Sequence, residues 1–286
     1  MKNAISYSLF GFNRAKDPNC FDFESYLRGL MINIRLNRLV YPGWDVVVNM
    51  DHQTYNGFSE LFDALPIVIK LHPNDHPLCL AMLWRLAPVY DQKNNGEWKY
   101  DHVLCRDLDS PTTYRERQCV EQWIANDKSM HAITDSVSHN IPLMGGMIGI
   151  KPAYFTMRMP KTWQQLIDKH PGFNFVPKGS DQTFLNQHVY PEFAHPGNES
   201  ITQHYILGHP NTFLNDWHDK VPNIVLNDVD DEIKESNDIC GHIGAAGYYP
   251  PPLHKFLNKH HAKFEDLQKA EQPFANIFYW RNQNLF

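Results

Sequence analysis

The chain has 286 residues and a formal net charge of −6, with 26 Lys and Arg residues against 32 Asp and Glu residues. This length suits one large α/β domain or two small ones. No basic surplus is present to neutralise a phosphate backbone, so nucleic acid is not an expected partner, and an anionic ligand would have to be held by a few placed groups or by a cation.

The first half of the chain alternates strand patterns with helix patterns. The predicted elements are, in chain order, a strand over 4–10, a helix over 21–39, strands over 44–50 and 67–71, a helix over 80–87 that Pro88 ends, a strand over 102–105, and a helix over 113–124. The last helix begins with a capping box, Thr113 with Glu116. This alternation is typical of a mostly parallel central sheet with helices on both faces. No linker or repeat divides the chain, so we predict a single domain, looser and Pro-rich from about residue 191.

Cysteine and histidine usage points away from a structural metal site. The five cysteines are scattered and never spaced as CxxC, which indicates neither a disulfide framework nor a zinc site. Most of the 16 histidines stand beside Pro, Asn or Asp, so we expect solvated loop histidines. No stretch approaches the roughly 20 apolar residues that span a bilayer, and the N-terminal residues leave no room for a signal peptide. We therefore expect a soluble, cytoplasmic protein without a transmembrane segment.

Two carboxylates, Asp107 and Asp109, follow the predicted strand over 102–105. Ligands of open α/β sheets bind beyond the carboxyl ends of the strands. At about 5 Å and an effective dielectric of about 20, the two charges repel by about 3 kcal/mol, so one acid must be protonated or a cation must lie between them. A divalent cation that bridges them to a diphosphate meets both needs. The alternative is an acidic turn in which an Asp caps the following helix.

Two downstream segments are further candidates. Gly145 and Gly146 lie in an apolar run, which indicates close approach by a ligand or another segment; the alternative is a bulge or a tight helix–sheet contact. Asp181 and Gln182 follow a glycine turn at a predicted helix start, where Asp181 can equally be a simple N-cap.

Together, the order and spacing of these segments resemble the nucleotide-sugar glycosyltransferases of GT-A type, over most of the chain. The resemblance rests on Ser8 to Gly11, a helix with Tyr26, Gly29 and Asn33, the segment Tyr41-Pro42-Gly43-Trp44, the strand to Asp51, Trp84-Arg85, Arg106-Asp107-Leu108-Asp109-Ser110, Glu116, Gly145-Gly146-Met147-Ile148-Gly149 and Ser180-Asp181-Gln182-Thr183-Phe184-Leu185. It implies one GT-A (Rossmann-like) α/β domain over 1–286. Residues 1–115 would form the nucleotide-binding part, which ends in the DxD motif, and 116–286 the acceptor side with a C-terminal extension.

The resemblance also implies residue roles. The nucleoside would lie against Ser8, Leu9, Phe10 and Gly11, with Asn33, Arg85 and Arg106 as further donor contacts. Asp107 would face the ribose or donor sugar, and Gly145 and Gly146 would line the cleft for donor sugar and acceptor. Asp107 and Asp109 would bind the metal, with His242 as a third ligand unless it is an ordinary turn histidine. The Lys-Pro-Trp that follows this histidine in the relatives is absent here. Mixed oxygen and imidazole ligation suits Mn²⁺ better than Mg²⁺.

The predicted activity is metal-dependent transfer of a sugar from a nucleotide diphosphate sugar to a carbohydrate or other hydroxyl acceptor. In an inverting scheme Asp181 is the general base. In a retaining scheme Asp181 or Gln182 stabilises an oxocarbenium-like centre, and Asp135 is the next candidate acid. The alternatives are an aspartyl-nucleophile phosphatase or phosphotransferase, whose motif usually follows the first strand, and a non-enzymatic nucleotide-sugar-binding module.

Overall fold

Seven strands form one sheet in the computed structural model, which describes residues 2–12, 23–135, 141–195, 200–205, 244, 253 and 257–274. The strands are β1 (Asn3–Ser8), β2 (Asp45–Asp51), β3 (Val68–His72), β4 (His102–Arg106), β5 (Met130–Thr134), β6 (Met147–Ile150) and β7 (Ile201–Tyr205). Their order is β3-β2-β1-β4-β6-β5-β7. Only β6 runs antiparallel to its neighbours, β4 and β5, among these strands. The predicted mostly parallel sheet is confirmed.

The helices follow the strands along the chain. They are α1 (Phe23–Val40), α2 (His52–Gly57), α3 (Ser59–Ala64), α4 (Leu78–Met82), α5 (Tyr114–Asn126), α6 (Pro152–Arg158), α7 (Trp163–Asp168), α8 (Ser180–His188), α9 (Tyr190–Phe193) and α10 (Glu265–Glu271), with 3-10 helices at Leu83–Tyr90, His261–Phe264 and Gln272–Phe274. None of the helices in these described ranges is both long and apolar enough to cross a membrane.

Alternate residues of the strands feed two separate hydrophobic clusters, one on each face of the sheet. On one face, Ile5 and Tyr7 of β1 pack in a cluster with side chains of α1, α3, α5 and α10. On the other face, Ala4 of β1 joins a cluster with side chains of the 83–90 helix and of α6 to α8. Helices therefore cover both faces, as the alternation of patterns predicts.

The order of the strands creates a crevice beside β1. The chain moves from β1 to β2 and β3 on one side, and then returns to place β4 on the other side of β1. At such a topological switch point the loops leave neighbouring strands in opposite directions, and this opening is where open α/β sheets bind their ligands. Ser8 ends β1 here and Asp107 directly follows β4.

Three expectations about elements need correction. The helix predicted to end at Pro88 ends as α4 at Met82, and a 3-10 helix then continues through Pro88 to Tyr90. Only half of the capping box forms: Thr113 Oγ1 accepts from the N–H of Glu116 at 3.1 Å, whereas the Glu116 carboxylate binds Arg106 and Tyr41. The part beyond residue 191 contributes β7 to the sheet, so it is not uniformly loose. The extent of the domain and its division at residue 115 stay predictions.

Candidate functional site

A cavity opens at the switch point between the carboxyl ends of β1 and β4. Its volume is about 420 Å³, including space open to solvent. The wall combines apolar and aromatic side chains with a few polar ones: Ser8, Leu9, Phe10, Phe23, Tyr26, Met82, Arg85, Asp107 and Leu108. Sequence reasoning missed Phe23, Tyr26, Met82 and Leu108 as wall residues. The three-residue spacing of Phe23 and Tyr26 on one helix could have indicated a shared face.

Arg85 connects the strands of the crevice with α8. Its backbone N–H donates to Ser8 Oγ at 3.1 Å, and its side chain is only 3% exposed. The guanidinium forms ion pairs with Asp107, directly after β4, and with Asp181 Oδ2 of α8 at 3.4 Å. One buried cation is thus shared by two carboxylates that are far apart in the sequence.

Gly145 and Gly146 lie against these charged groups. A Cβ atom on Gly146 would overlap with Asp107 Oδ2, and a Cβ on Gly145 would lie 2.9 Å from Arg85 Nη2 and 3.5 Å from Asp181 Oδ2. The absence of side chains at both positions is therefore required by neighbouring protein groups, which is the close approach by another segment that the sequence indicated.

Asp181 is the second residue of α8 and is 3% exposed. Burial raises its pKa, Arg85 opposes the rise and Asp107 adds to it. The N-cap is Gly179, whose φ of 82° lies in the left-handed region that favours glycine. The simple N-cap interpretation of Asp181 is therefore wrong. Gln182 follows it in α8 and is partly exposed.

Asp109 lies on the other side of Asp107, next to α1. Tyr26 Oη donates to Asp109 Oδ2 at 3.3 Å. Burial and the charge of Asp107 raise the pKa of Asp109 to about 6. The cap of α5 is Thr113, so the alternative in which an Asp of this motif caps the following helix is wrong.

Three residues predicted as ligand contacts or acids lie away from the cavity wall. Asn33 is 0% exposed, and its side-chain amide donates to the carbonyls of Leu108 and Ser110 at 3.3 and 3.0 Å, which holds the loop after β4. Arg106 donates to Glu116 Oε1 and to the Ile148 carbonyl, both at 2.7 Å. The third, Asp135, is 0% exposed and pairs with Arg115 at 2.8 Å. The structure gives all three structural contacts, and their predicted roles toward a donor or an acceptor stay predictions.

The end of β1 is braced from outside the cavity. Gly11 has a φ of 85°, and its N–H donates to Asp51 Oδ2 at 3.0 Å. Phe10 packs edge-on against Trp84 and His76, with ring centroids 5.8 and 5.7 Å apart. Ser8, Leu9 and Phe10 thus form wall, whereas Gly11 shapes the turn behind it.

The proposed metal ligands are only partly visible. Asp107 and Asp109 are adjacent at the cavity, and His242 lies outside the described residues. Within the described ranges, no group of three or more His, Cys, Asp or Glu side chains is placed to hold a metal ion. A cation at this place would therefore need ligands from its substrate, from water or from the rest of the chain.

Comparison with known proteins gives little guidance on chemistry. Neither a protein-family model nor a curated protein matches the chain. Among solved structures, 4-diphosphocytidyl-2C-methyl-D-erythritol synthase from Anaerococcus prevotii DSM 20548 is similar with a TM-score of 0.42 and 7% sequence identity, over 71% of this chain and 86% of that chain. A similarity at this level says nothing about the chemistry of the site, which has to be judged from its own geometry.

Proposed function

We propose that the chain is a metal-dependent glycosyltransferase, which transfers a sugar from a nucleotide diphosphate sugar to a hydroxyl of a carbohydrate or other acceptor. One observation carries the proposal: two carboxylates share one buried arginine next to the carboxyl ends of the strands, and a third carboxylate lies close to one of them. Asp107 and Asp181 share Arg85, and Asp109 is close enough to Asp107 for that charge to raise its pKa. This arrangement offers a place for a diphosphate on the Asp109 side and an acid–base group on the Asp181 side.

The cavity supports a nucleoside-containing donor. Its wall is mostly apolar with a few polar groups, the composition of ligand pockets, in which such polar groups fix orientation. Phe10, Phe23 and Tyr26 supply aromatic surface for a base, and Ser8 and Arg85 supply polar groups next to it.

Asp107 and Asp109 would hold the proposed divalent cation. Of the cationic side chains in the described ranges, Arg85 pairs with Asp107 and is already shared with Asp181. Burial and then the charge of Asp107 raise the pKa of Asp109, and a bound cation would favour its ionised form. Mn²⁺ and Mg²⁺ both accept carboxylate oxygens as ligands, and either would stabilise the negative charge of a departing diphosphate. His242 remains the proposed third ligand.

Asp181 is the proposed reacting-centre acid. Its burial raises the pKa and makes the ionised carboxylate a stronger base, while Arg85 favours the ionised form. In an inverting reaction the carboxylate would take the proton of the acceptor hydroxyl. In a retaining reaction the carboxylate or the Gln182 amide would stabilise positive charge at the anomeric carbon, and the leaving diphosphate would take the proton.

The two alternatives are less well supported by the geometry. An aspartyl nucleophile usually follows the first strand, whereas Asp107 follows β4 and its carboxylate is paired with Arg85. A simple binding module has no need for a buried acid such as Asp181, whose ionisation costs free energy.

The test is calorimetry with UDP, GDP, dTDP, CDP and ADP, each with MnCl₂ and with excess chelator. We expect one nucleotide to bind at least about tenfold more tightly with Mn²⁺, a difference of about 1.4 kcal/mol. The same base is then offered as a nucleotide sugar, whose slow hydrolysis should require Mn²⁺.

The matched variants are Asp107→Asn, which should lose the metal effect, and Asp101→Asn, an exposed carboxylate at the start of β4, which should keep it. Equal affinity in chelator would contradict the metal, and no binding by any of the five nucleotides would contradict the donor class.

A further inference from the structure

Asn186 joins α8 to the segment that precedes the two glycines of the site. The N–H of Leu143 donates to Asn186 Oδ1 at 2.9 Å, and Asn186 Nδ2 donates to the Leu143 carbonyl at 2.8 Å. Nδ2 also donates to the Gln182 carbonyl, one turn earlier in α8, at 2.8 Å. Both backbone polar groups of Leu143 and both polar atoms of one side-chain amide are therefore paired with each other.

The two segments held by this contact meet again at the charged centre. Asp181 lies five residues before Asn186 in the same helix, and Gly145 and Gly146 lie directly after Leu143 and Met144. A Cβ on Gly145 would lie 3.5 Å from Asp181 Oδ2, and one on Gly146 would overlap with Asp107. The distance between α8 and this glycine loop, defined as residues 141–146, thus sets the room between Asp181 and Asp107.

We infer that Asn186 is a positioning residue, which sets the width of the reaction cleft by fixing the glycine loop against α8. The inference rests on the proposed transferase function of the same site. Asn186 is not one of the residues of the cavity wall; it acts through Leu143 on the loop backbone and through α8 on Asp181.

An amide is the side chain that this place requires. It accepts from an N–H and donates to a carbonyl at the same time, as a backbone peptide does. Aspartate has the same shape but no N–H to donate, and alanine leaves both groups of Leu143 without their partner. Leu143 is 0% exposed, so water cannot readily replace the lost bonds.

Other contacts keep the loop folded when Asn186 is replaced. Met147 N–H donates to the Met144 carbonyl at 2.9 Å, and Gln203 Nε2 approaches the Pro142 carbonyl at 3.4 Å. We therefore expect a looser loop and not an unfolded protein. A displacement of about 1 Å in a reaction cleft can cost about 100-fold in rate.

The test compares Asn186→Ala and Asn186→Asp with Gln164→Ala, a control that removes an exposed amide of α7 bonded to Asp168. Hydrogen exchange of the Leu143 amide is measured together with nucleotide affinity in Mn²⁺. The kcat and KM are those for hydrolysis of the nucleotide sugar. For Asn186→Ala we expect at least about tenfold faster exchange at Leu143, because the opening that exposes this amide becomes about 1.4 kcal/mol easier. We also expect kcat to fall about 10–100-fold with nearly unchanged nucleotide affinity.

Asn186→Asp keeps the size of the side chain and the acceptor for the Leu143 N–H, but it places a carboxylate oxygen against the carbonyls of Leu143 and Gln182, so it should lower kcat at least as much as Asn186→Ala. The control should match wild type in every measurement. Unchanged exchange at Leu143 in both variants would overturn the positioning role, and so would faster exchange with unchanged kcat. If the wild-type protein transfers no sugar, the proposed function fails, while the exchange result still decides whether Asn186 holds the loop.

Discussion

Ionisation of Asp109 in the folded protein costs free energy that its surroundings offset only in part. Burial and the neighbouring charge of Asp107 raise its pKa from 3.8 to about 6. Between these pH values the folded chain binds more protons than the unfolded chain, so the free energy of unfolding decreases as pH rises through this window. Above pH 6 the ionised carboxylate destabilises the metal-free fold by up to about 3 kcal/mol, and by less where solvent reaches it.

Replacement of Asp109 by Asn should therefore stabilise the metal-free protein at neutral pH. Asn still accepts the hydrogen bond from Tyr26, and it removes the opposed charge. We expect the free energy of unfolding at pH 7.5 to rise by about 1–2 kcal/mol, with little change at pH 3.5. Added MnCl₂ should stabilise wild type and not the variant, because only a ligand that binds the folded state raises stability.

Urea unfolding at both pH values, with and without MnCl₂, measures these effects, with Asp101→Asn as the surface control. A variant that is less stable than wild type at pH 7.5 without metal would show that Asp109 has a structural role that its charge does not explain.

Residue spacing predicted the conflict between Asp107 and Asp109, because it follows from Coulomb's law and a short separation. The roles of Asn33 and Arg106 could not be predicted in this way. Whether a side chain faces the cavity depends on the register and direction of its element. Arg106 points toward α5, where its Nε donates to Glu116 Oε1. The sharing of Arg85 by Asp107 and Asp181 is likewise non-local, since it joins the 83–90 helix, the β4 loop and α8.

The glycine-rich run at 145–149 serves two different elements. Gly145 and Gly146 make room for charged side chains of the site. Gly149 lies within β6 under α5, where an added Cβ would lie 2.8 Å from Trp123 Cζ3 and 3.1 Å from Leu104 Cδ2. The close approach by another segment that was predicted for Gly145 and Gly146 is found there, whereas the tight helix–sheet contact, the alternative for that pair, occurs at Gly149.

Gly149→Ala should separate α5 from the sheet. Trp123 is 0% exposed and its Nε1 donates to the Lys128 carbonyl at 2.9 Å, so the indole cannot move away freely. We expect a loss of about 1–3 kcal/mol in the free energy of unfolding, as overpacking of a close-packed core usually costs. Gly172→Ala, with no atom within 4 Å of the added Cβ, is the matched control and should change stability by no more than about 0.5 kcal/mol. Equal urea midpoints for both variants would mean that Trp123 and Leu104 accommodate the added methyl group without loss of stability.

Strands β5, β6 and β7 show why the second half of the sheet was not predicted. Each has only four or five residues, and β5 and β7 contain buried polar residues, His131 and His204 among them, which hide the apolar periodicity. The prediction that Pro88 ends a helix was wrong because a short 3-10 helix tolerates a proline that an α-helix of the same length would not.

At the scale of the whole molecule, local patterns predicted the class of the fold but not the order of the strands in the sheet. Alternating strands and helices indicate a mostly parallel sheet, and the structure has one. The insertion of β6 between β4 and β5 cannot be read from neighbouring residues, yet this strand brings Gly146, just before its first residue, next to Asp107. Gly146 and Asp107 therefore meet at the crevice because of the order of the strands.

The histidines show a second whole-molecule effect, because four of those in the described residues are buried where solvated histidines were expected: His76, His102, His131 and His204. His131 of β5 and His204 of β7 are both 0% exposed, with ring centroids 5.1 Å apart. Within the described part of the chain, none of their ring nitrogens has a hydrogen-bond partner. Burial, with the charges of His204 and Arg106, lowers the pKa of His131 well below its ordinary value, and burial lowers the pKa of His204 to about 4.

This pair should make the protein sensitive to acid. The unfolded chain takes up protons on these residues near pH 6.5, whereas folded His204 does so only near pH 4. The unfolded state therefore binds more protons between these values, and the free energy of unfolding falls as pH drops from about 6.5 to about 4, by up to about 3 kcal/mol for His204 alone. Because Asp109 acts with the opposite sign between pH 3.8 and about 6, variants must be compared with wild type at each pH.

The combined variant His131→Phe, His204→Phe should remove most of this acid sensitivity. Phenylalanine keeps the aromatic contact with Trp123 and loses no hydrogen bond that the described structure contains. Urea unfolding at pH 7.5, 5.5 and 4.5 should give a wild-type curve that falls toward acid and a flatter curve for the variant. The exposed His261→Asn control should follow wild type. If variant and wild type lose stability in parallel, the buried pair does not set the acid limit, and ionised groups elsewhere, such as the low-pKa carboxylates Asp51 and Asp266, must account for it.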